Sequence, residues 1–227
     1  CLLASVIPGK IVAIGVNYLD HIKESGMKPP SAPLIFSKFP SSVAGPDEDI
    51  VLDSSLTKRL DWEVELAVVI GRRMKDVPRE NVFNYVLGYT IANDLSARDV
   101  QFGDGQWVPG KSFDGFCPIG PSIVTQDEIG NPQELRLMTD VNGERIQSSS
   151  TSEMLFSIDE LLAYCCRCFT LEPGDLLLTG TPWGCGECMR PPRSLVHGDS
   201  VRVSIEKIGS LTNRIIEKPS VLTKASG

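Results

Sequence analysis

Strand-length apolar runs, separated by turn signals at intervals of about ten residues, constrain this chain more than any other feature. They extend over Ile11 to Val16, Leu34 to Phe36, Ile50 to Leu52, Glu63 to Ile70, Val86 to Ala92, Ser122 to Thr125, Leu135 to Val141, Asp175 to Thr179 and Ser200 to Ile205. This spacing predicts a β-rich α+β chain, built as a barrel or sandwich. Helical patterns are few: Tyr18 to Ser25, a turn near Pro78 to Asn84, Ser96 to Phe102, and Ser157 to Phe169. The last opens on Ser157 with Glu160 three residues later, a capping-box arrangement. Asn142-Gly143 supplies the positive φ angles of a two-residue hairpin loop. Glu172-Pro173-Gly174-Asp175 reads as another turn, feeding the next strand.

At 227 residues and 41% apolar, the chain can bury one sizeable core. No repeat, low-complexity tract or linker divides it, so a single domain over residues 1–227 is expected. A formal charge of −7 without any Lys/Arg cluster argues against nucleic acid and anionic membrane as partners. No apolar run approaches the ~20 residues of a membrane span, and no signal-peptide pattern is visible. The first residue is Cys rather than Met, so a truncated or processed start is expected, with any targeting segment lost alongside it.

The seven cysteines are an odd number, unevenly spread. Cys185-Gly186-Glu187-Cys188 is a CxxC that could be redox-active or half a zinc site, but no second CxxC or His pair completes a tetrahedral set. Cys165, Cys166 and Cys168 read as small core or interface hydrophobes. The set as a whole suggests a reducing compartment, mitochondrial or cytoplasmic.

The chemistry is concentrated in Asp61-Trp62-Glu63-Val64-Glu65-Leu66 and in Asn93-Asp94-Leu95-Ser96-Ala97-Arg98. On a strand, residues i and i+2 point to the same face, so Glu63 and Glu65 converge. Two carboxylates ~4 Å apart repel by roughly 4 kcal/mol at an effective dielectric of about 20, which favours a cation between them. Asp94, ending the next apolar run, can supply a third oxygen. A solvated acidic face is the competing reading of the same spacing.

His21 and Glu24 share a face of a short helix, and a carboxylate beside an imidazole fixes its tautomer and raises its basicity. A surface pair is the plainer reading. Lys111, in Pro109-Gly110-Lys111-Ser112, is flanked by apolar and small residues, as suits a lysine that stabilises developing charge or carries a proton. A loop lysine is its alternative. Gly110-Lys111-Ser112 is no phosphate-binding loop, because the upstream glycine is missing. Arg98 and Gln101 lie on one helical face after Asp94, and Thr179-Gly180-Thr181-Pro182 leaves a hydroxyl and backbone N–H groups at a strand end.

Together with Gly15-Val16-Asn17-Tyr18, Phe36-Ser37-Lys38, Gly110-Lys111-Ser112-Phe113-Asp114 and Gly198-Asp199, these segments resemble the fumarylacetoacetate hydrolase family over nearly the whole length. Phe36-Ser37-Lys38-Phe39, Trp62 and Phe116-Cys117-Pro118 are most similar to its domain-containing-two branch, whose members resemble oxaloacetate tautomerases. The resemblance implies a mixed β-sandwich roll, or distorted barrel, assembled as a homodimer. It implies Mg²⁺ or Mn²⁺ ligands at Glu63, Glu65 and Asp94, a His21–Glu24 dyad on a lid helix, an active-site Lys111, and substrate contacts at Arg98, Gln101 and Thr181. Two departures stand out: Asp99 to Trp107 is shorter than in tautomerase-like relatives, and Cys185 and Cys188 replace glycine and other residues at the pocket rim.

The implied substrate is a small 2-oxo acid reacting through a metal-stabilised enolate. Oxaloacetate keto–enol tautomerisation is the favoured reaction. Acylpyruvate-type C–C hydrolysis and oxaloacetate decarboxylation remain as alternatives within the same chemistry. An inactive metal-binding scaffold and a redox role for Cys185 and Cys188 are the readings from other classes.

Overall fold

The computed structural model describes residues 2–219, so Cys1 lies outside the described residues. In chain order its strands are β1 (Ile11–Gly15), β2 (Leu34–Lys38), β3 (Val43–Ala44), β4 (Ile50–Leu52), β5 (Leu60–Asp61), β6 (Val64–Ile70), β7 (Val86–Asn93), β8 (Ser96–Ala97), β9 (Cys117–Thr125), β10 (Arg136–Val141), β11 (Glu144–Ser150), β12 (Leu176–Leu178), β13 (Ser200–Ile205) and β14 (Gly209–Glu217). The helices are α1 (Leu19–Ser25), α2 (Arg98–Gly103), α3 (Trp107–Lys111), α4 (Gln126–Ile129) and α5 (Ile158–Cys168).

Seven strands form one mixed sheet in the order β2-β1-β12-β6-β7-β9-β3, and five form a second, β11-β10-β13-β14-β4. The pairs β1–β12, β3–β9 and β14–β4 are parallel; the other pairs in these two sheets are antiparallel. The short β5–β8 pair stands apart.

Strand β6 explains why the sheets stack. Its side chains alternate, and Val64, Leu66, Val68 and Ile70 enter a core shared with Leu137 and Val141 of β10, Val201 and Val203 of β13, and Leu211 and Ile215 of β14. Ala67 and Val69 take the opposite face, where they pack with Ile11, Ala13, Ala92, Ile119, Leu176 and Leu178. A central strand buried on both faces carries a continuous apolar run, and Leu66 to Ile70 is such a run. This is the expected β-rich α+β sandwich roll, with Glu65 on the face away from the inter-sheet core.

Several expectations shift by a few residues. Ser96 and Ala97 do not open a helix: they pair with Asp61 and Leu60, and the Arg98 amide donates to the Arg59 carbonyl at 2.9 Å, so α2 begins at Arg98. The run expected from Ser122 begins at Cys117. Strands β11 and β14 complete hairpins that the apolar pattern leaves unmarked, since β11 is rich in polar residues. The turn near Pro78 is a 3₁₀ segment over Arg79–Tyr85. The hairpin at Asn142-Gly143 has φ of 54° and 82°. At α5 the Ser157 amide donates to Glu160 Oε2 at 2.9 Å, closing the capping box. Cys165 and Cys166 of that helix are buried, but Cys168 is exposed. Among the described residues no helix is long and apolar enough to cross a membrane.

Candidate active site

The end of β6 and the end of β7 hold the acidic groups together through their backbones. The Glu63 amide donates to Asn93 Oδ1 at 3.0 Å, and the Asp94 amide donates to the Glu63 carbonyl at 2.9 Å. Glu63, Glu65 and Asp94 are all buried, and one oxygen from each lies within 4.8 Å of the others. The two glutamates converge as predicted, although the strand expected from Glu63 begins at Val64 and Glu63 lies just before it. The solvated-face alternative fails on their burial.

Three cations meet these carboxylates. Lys111 Nζ donates to Glu63 Oε2 and Asp94 Oδ2, each at 2.8 Å. Lys38 Nζ donates to Asp94 Oδ1 at 2.6 Å and also to the Lys111 carbonyl. Arg98 reaches Glu63 Oε1 at 2.6 Å and Asp61 Oδ2 at 2.8 Å. Lys111 is no loop lysine. It ends α3, which closes on α2 because Gly110 has no Cβ; one added there would stand 2.6 Å from the Gln101 nitrogen and 2.8 Å from the Ala97 oxygen.

Glu65 is the exception. Its Oε2 accepts the Gly180 amide at 2.7 Å, and no lysine or arginine among the described residues pairs with it. Gly180 makes that approach with a φ of 94°, a left-handed conformation suited to glycine. Burial, followed by the charges of Asp94 and Glu63, raises the Glu65 pKa well above its ordinary value. Glu63 behaves oppositely: burial pushes its carboxyl up, but Lys111 and Arg98 outweigh that and hold it down to about 2. Burial disfavours the charged Lys111, yet Asp94 and Glu63 win and raise its pKa, so it stays an ammonium.

This donor set fits a hard divalent cation. Three carboxylates offer oxygen ligands only, as Mg²⁺ or Mn²⁺ prefers, and the one carboxylate without a counter-charge sits where positive charge is missing.

A cavity opens onto Glu63 and Glu65. His21, Arg98, Gln101, Lys111 and Thr181 line it, and Phe36, Phe102, Trp107 and Met27 form its apolar walls. Phe36 meets Trp107 edge-on with centroids 5.5 Å apart, while Lys111 Nζ lies 5.2 Å from the Phe36 centroid. Arg98 and Gln101 share a face of α2 as expected, with Arg98 donating to Gln101 Oε1 at 2.9 Å. The Thr181 hydroxyl accepts from Gln147 Nε2 at 3.1 Å.

His21 and Glu24 do share a face of α1, with Nδ1 and Oε2 3.6 Å apart. Glu24 does not line the cavity. Its two carboxylate oxygens accept the Gly184 amide at 3.2 and 3.0 Å, which ties α1 to the loop after β12. Burial opposes ionisation of Glu24, but His21 and the Gly184 amide outweigh it and lower its pKa.

Sequence reasoning gave no role to Lys38, Asp61 or Gln147. Asp61 holds Arg98 and accepts the Trp62, Gly186 and Glu187 amides at 2.8, 2.7 and 3.0 Å. Lys38 ends the apolar stretch Ile35-Phe36, and a lysine closing such a stretch was the one signal that could have marked it. Gln147 carried none, because its partners Val64, Thr139 and Thr181 come from three other segments. The thiols of Cys185 and Cys188 are both pushed up, Cys185 by burial with Glu63 and Asp61, and Cys188 by burial with Glu24 to about 11. Redox-active cysteines need the opposite shift, so the environment works against a redox role.

The family model described as fumarylacetoacetate (FAA) hydrolase C-terminal matches residues 10–216. The rat protein named oxaloacetate tautomerase Fahd2a, mitochondrial, is 47% identical over 210 residues, which is 92% of this chain and 67% of that protein. The structure of a fumarylacetoacetate hydrolase from psychrophilic Exiguobacterium antarcticum superposes with a TM-score of 0.89 at 44% identity, over 95% of this chain and 78% of that one. A 5-carboxymethyl-2-hydroxymuconate delta-isomerase from Mycobacterium smegmatis superposes with a TM-score of 0.85 at 43% identity, over 96% of this chain and 82% of that one. The chain belongs to the fumarylacetoacetate hydrolase family.

Proposed function

We propose that this chain is a divalent-metal-dependent enzyme that interconverts the keto and enol forms of oxaloacetate. The observation that carries the reading is Glu65, a buried carboxylate without a counter-cation at the floor of a cavity that also presents Lys111 and His21. The tautomerase name of the rat relative and the isomerase name of the mycobacterial one support this choice of reaction.

Glu63, Glu65 and Asp94 would hold the cation, Mg²⁺ or Mn²⁺, which when bound supplies Lewis-acid stabilisation of negative charge on the 2-oxo oxygen. Arg98, held by Asp61 and bonded to Gln101, orients the substrate carboxylates together with Gln101, and Thr181 adds a hydroxyl to the cavity lining. Lys111, an ammonium bonded to both Glu63 and Asp94, is placed to stabilise the enolate oxygen and to donate to it, which leaves the part of the base to another group. His21 takes that part: its imidazole removes a proton from the carbon next to the ketone and returns it in the reverse direction, with the Glu24 carboxylate 3.6 Å from its Nδ1 on the same face of α1. Phe36, Phe102 and Trp107 give the cavity apolar walls.

Hydrolysis of an acylpyruvate is the second reading, favoured by the same His21–Glu24 pair, which could activate a water. His21→Ala separates the two. If His21 activates water, the substitution lowers acylpyruvate cleavage far more than ketonisation of oxaloacetate, while equal loss in both leaves the tautomerase base as its role. A single domain, a homodimer and a mitochondrial location complete the proposal, the last supported by the rat relative's name. Light scattering of the purified chain tests the dimer.

A further inference from the structure

A second cluster of metal-binding side chains lies beside the cavity, outside the carboxylate site. His21 and Glu24 on α1 and Cys188, at the end of the 3₁₀ turn Gly186–Cys188, bring one nitrogen, one oxygen and one sulfur within 4.8 Å of one another. The cluster borders a cavity that adjoins the first, sharing His21, Met27, Arg98 and Phe102 with it, and that Cys185, Glu187 and Arg190 also line. His21 Nδ1 is buried and makes no hydrogen bond, since Glu24 Oε2 at 3.6 Å is too distant. An imidazole nitrogen left with its lone pair or proton unmatched, facing a carboxylate and a thiol, is arranged for a ligand.

We infer that His21, Glu24 and Cys188 form a second metal site, selective for Zn²⁺, whose occupation inhibits the enzyme. The donor types decide the cation. Nitrogen, oxygen and sulfur from three side chains, with a fourth position open to water, match zinc, whereas Mg²⁺ has little affinity for thiolate or imidazole. The two sites therefore sort cations by hardness: oxygen-only at Glu63, Glu65 and Asp94, mixed at His21, Glu24 and Cys188.

Binding exchanges one bond for another. The Cys188 S–H bond breaks, its proton leaves to solvent, and a Zn–S bond forms without any change of oxidation state. Of the two arginines that line this cavity, Arg98 is paired with Asp61 and Glu63, and Arg190 donates to the Cys188 carbonyl at 3.4 Å. Zinc held here would remove His21 from catalysis and tie α1 to the loop carrying Cys188, adding to the tie that Glu24 already makes with the Gly184 amide. The metal site itself does not depend on the tautomerase reading; only the inhibitory effect does.

The probes are Co²⁺ and Zn²⁺ added to the intact protein in saturating Mg²⁺. Co²⁺ bound to a thiolate gives a near-ultraviolet charge-transfer band that no oxygen-only site produces, so this readout needs no activity. The wild type should show the band and lose it when Zn²⁺ displaces Co²⁺, and Cys188→Ser should lack it. In an enzyme assay, Cys188→Ser should retain its Mg²⁺-dependent rate while the Zn²⁺ concentration for half-inhibition rises at least tenfold. A band that persists in Cys188→Ser, which would place the metal on another cysteine, overturns the proposal. So does Zn²⁺ inhibition that excess Mg²⁺ relieves, since that locates zinc on the carboxylates.

Discussion

Lys111 Nζ sits 2.8 Å from Glu63 Oε2, and the same ammonium lies 2.8 Å from Asp94 Oδ2. The lysine thus bridges two carboxylates and offsets the repulsion between them inside the protein. Removing one partner of a buried ion pair typically costs about 3–5 kcal/mol, because the remaining charge is left without compensation. Lys111→Met should therefore lower the unfolding free energy of the metal-free protein by about that amount in urea titrations, besides abolishing turnover. An unchanged urea midpoint would mean that Lys38 and Arg98 alone neutralise the cluster.

Glu65→Gln should act in two opposite directions. Without metal the substitution removes the carboxylate that lacks a counter-charge, so the apo protein should be as stable as the wild type or more so. Metal affinity should fall at least tenfold, because one of three anionic ligands is gone. Titration calorimetry with Mn²⁺ and thermal melts of the apo protein read the two effects separately, and an undiminished Mn²⁺ affinity would reject Glu65 as a ligand.

The raised pKa of Glu65 makes metal stabilisation depend on pH. Below its ordinary value of 4.5 the group is protonated in both folded and unfolded chains. As pH rises past that value the unfolded chain loses the proton while the apo fold keeps it, so the apo fold loses stability until pH passes the raised folded pKa. A cation that ionises Glu65 in the folded state removes this penalty and releases the proton. The gain in Tm from added Mg²⁺ should therefore be larger at pH 7.5 than at pH 5. A gain independent of pH, with no proton release in calorimetry across buffers, would contradict the assignment.

Asp61→Asn tests positioning. The carboxylate fixes Arg98 through its Nε at 2.8 Å, and an amide there keeps the shape but loses the charge. Arg98 should then orient substrate poorly, so KM should rise by about tenfold or more with a smaller change in kcat, as expected when an interaction made equally in ground and transition states is weakened. A loss confined to kcat would assign Asp61 a part in the chemistry itself.

Much of this arrangement was legible in the chain because it depends on short-range periodicity. The alternation Glu65, Ala67, Val69 marks one face of β6, with Glu63 just before the strand, and the spacing of Arg98 and Gln101 marks one face of α2. The capping box and the Asn-Gly hairpin were equally local. The features that escaped depend on distant partners. Lys38 meets Asp94 across 56 positions, and Asp61 meets the Gly186 amide across 125, so local spacing does not reveal the partner of either residue. Ser96 and Ala97 fall within the helical pattern read over Ser96 to Phe102, but pairing with Asp61 and Leu60 overrides the local preference. Two-residue strands such as Val43–Ala44 are too short for any periodicity to mark.

The most direct test of the central claim is the disappearance of enol-oxaloacetate followed by ultraviolet absorbance, with the chelated protein and then with Mg²⁺ restored, while pyruvate is assayed in parallel. The account predicts fast ketonisation that requires both protein and metal and yields no pyruvate. Ketonisation no faster than the metal-only control would contradict it, and stoichiometric pyruvate would replace tautomerisation with decarboxylation.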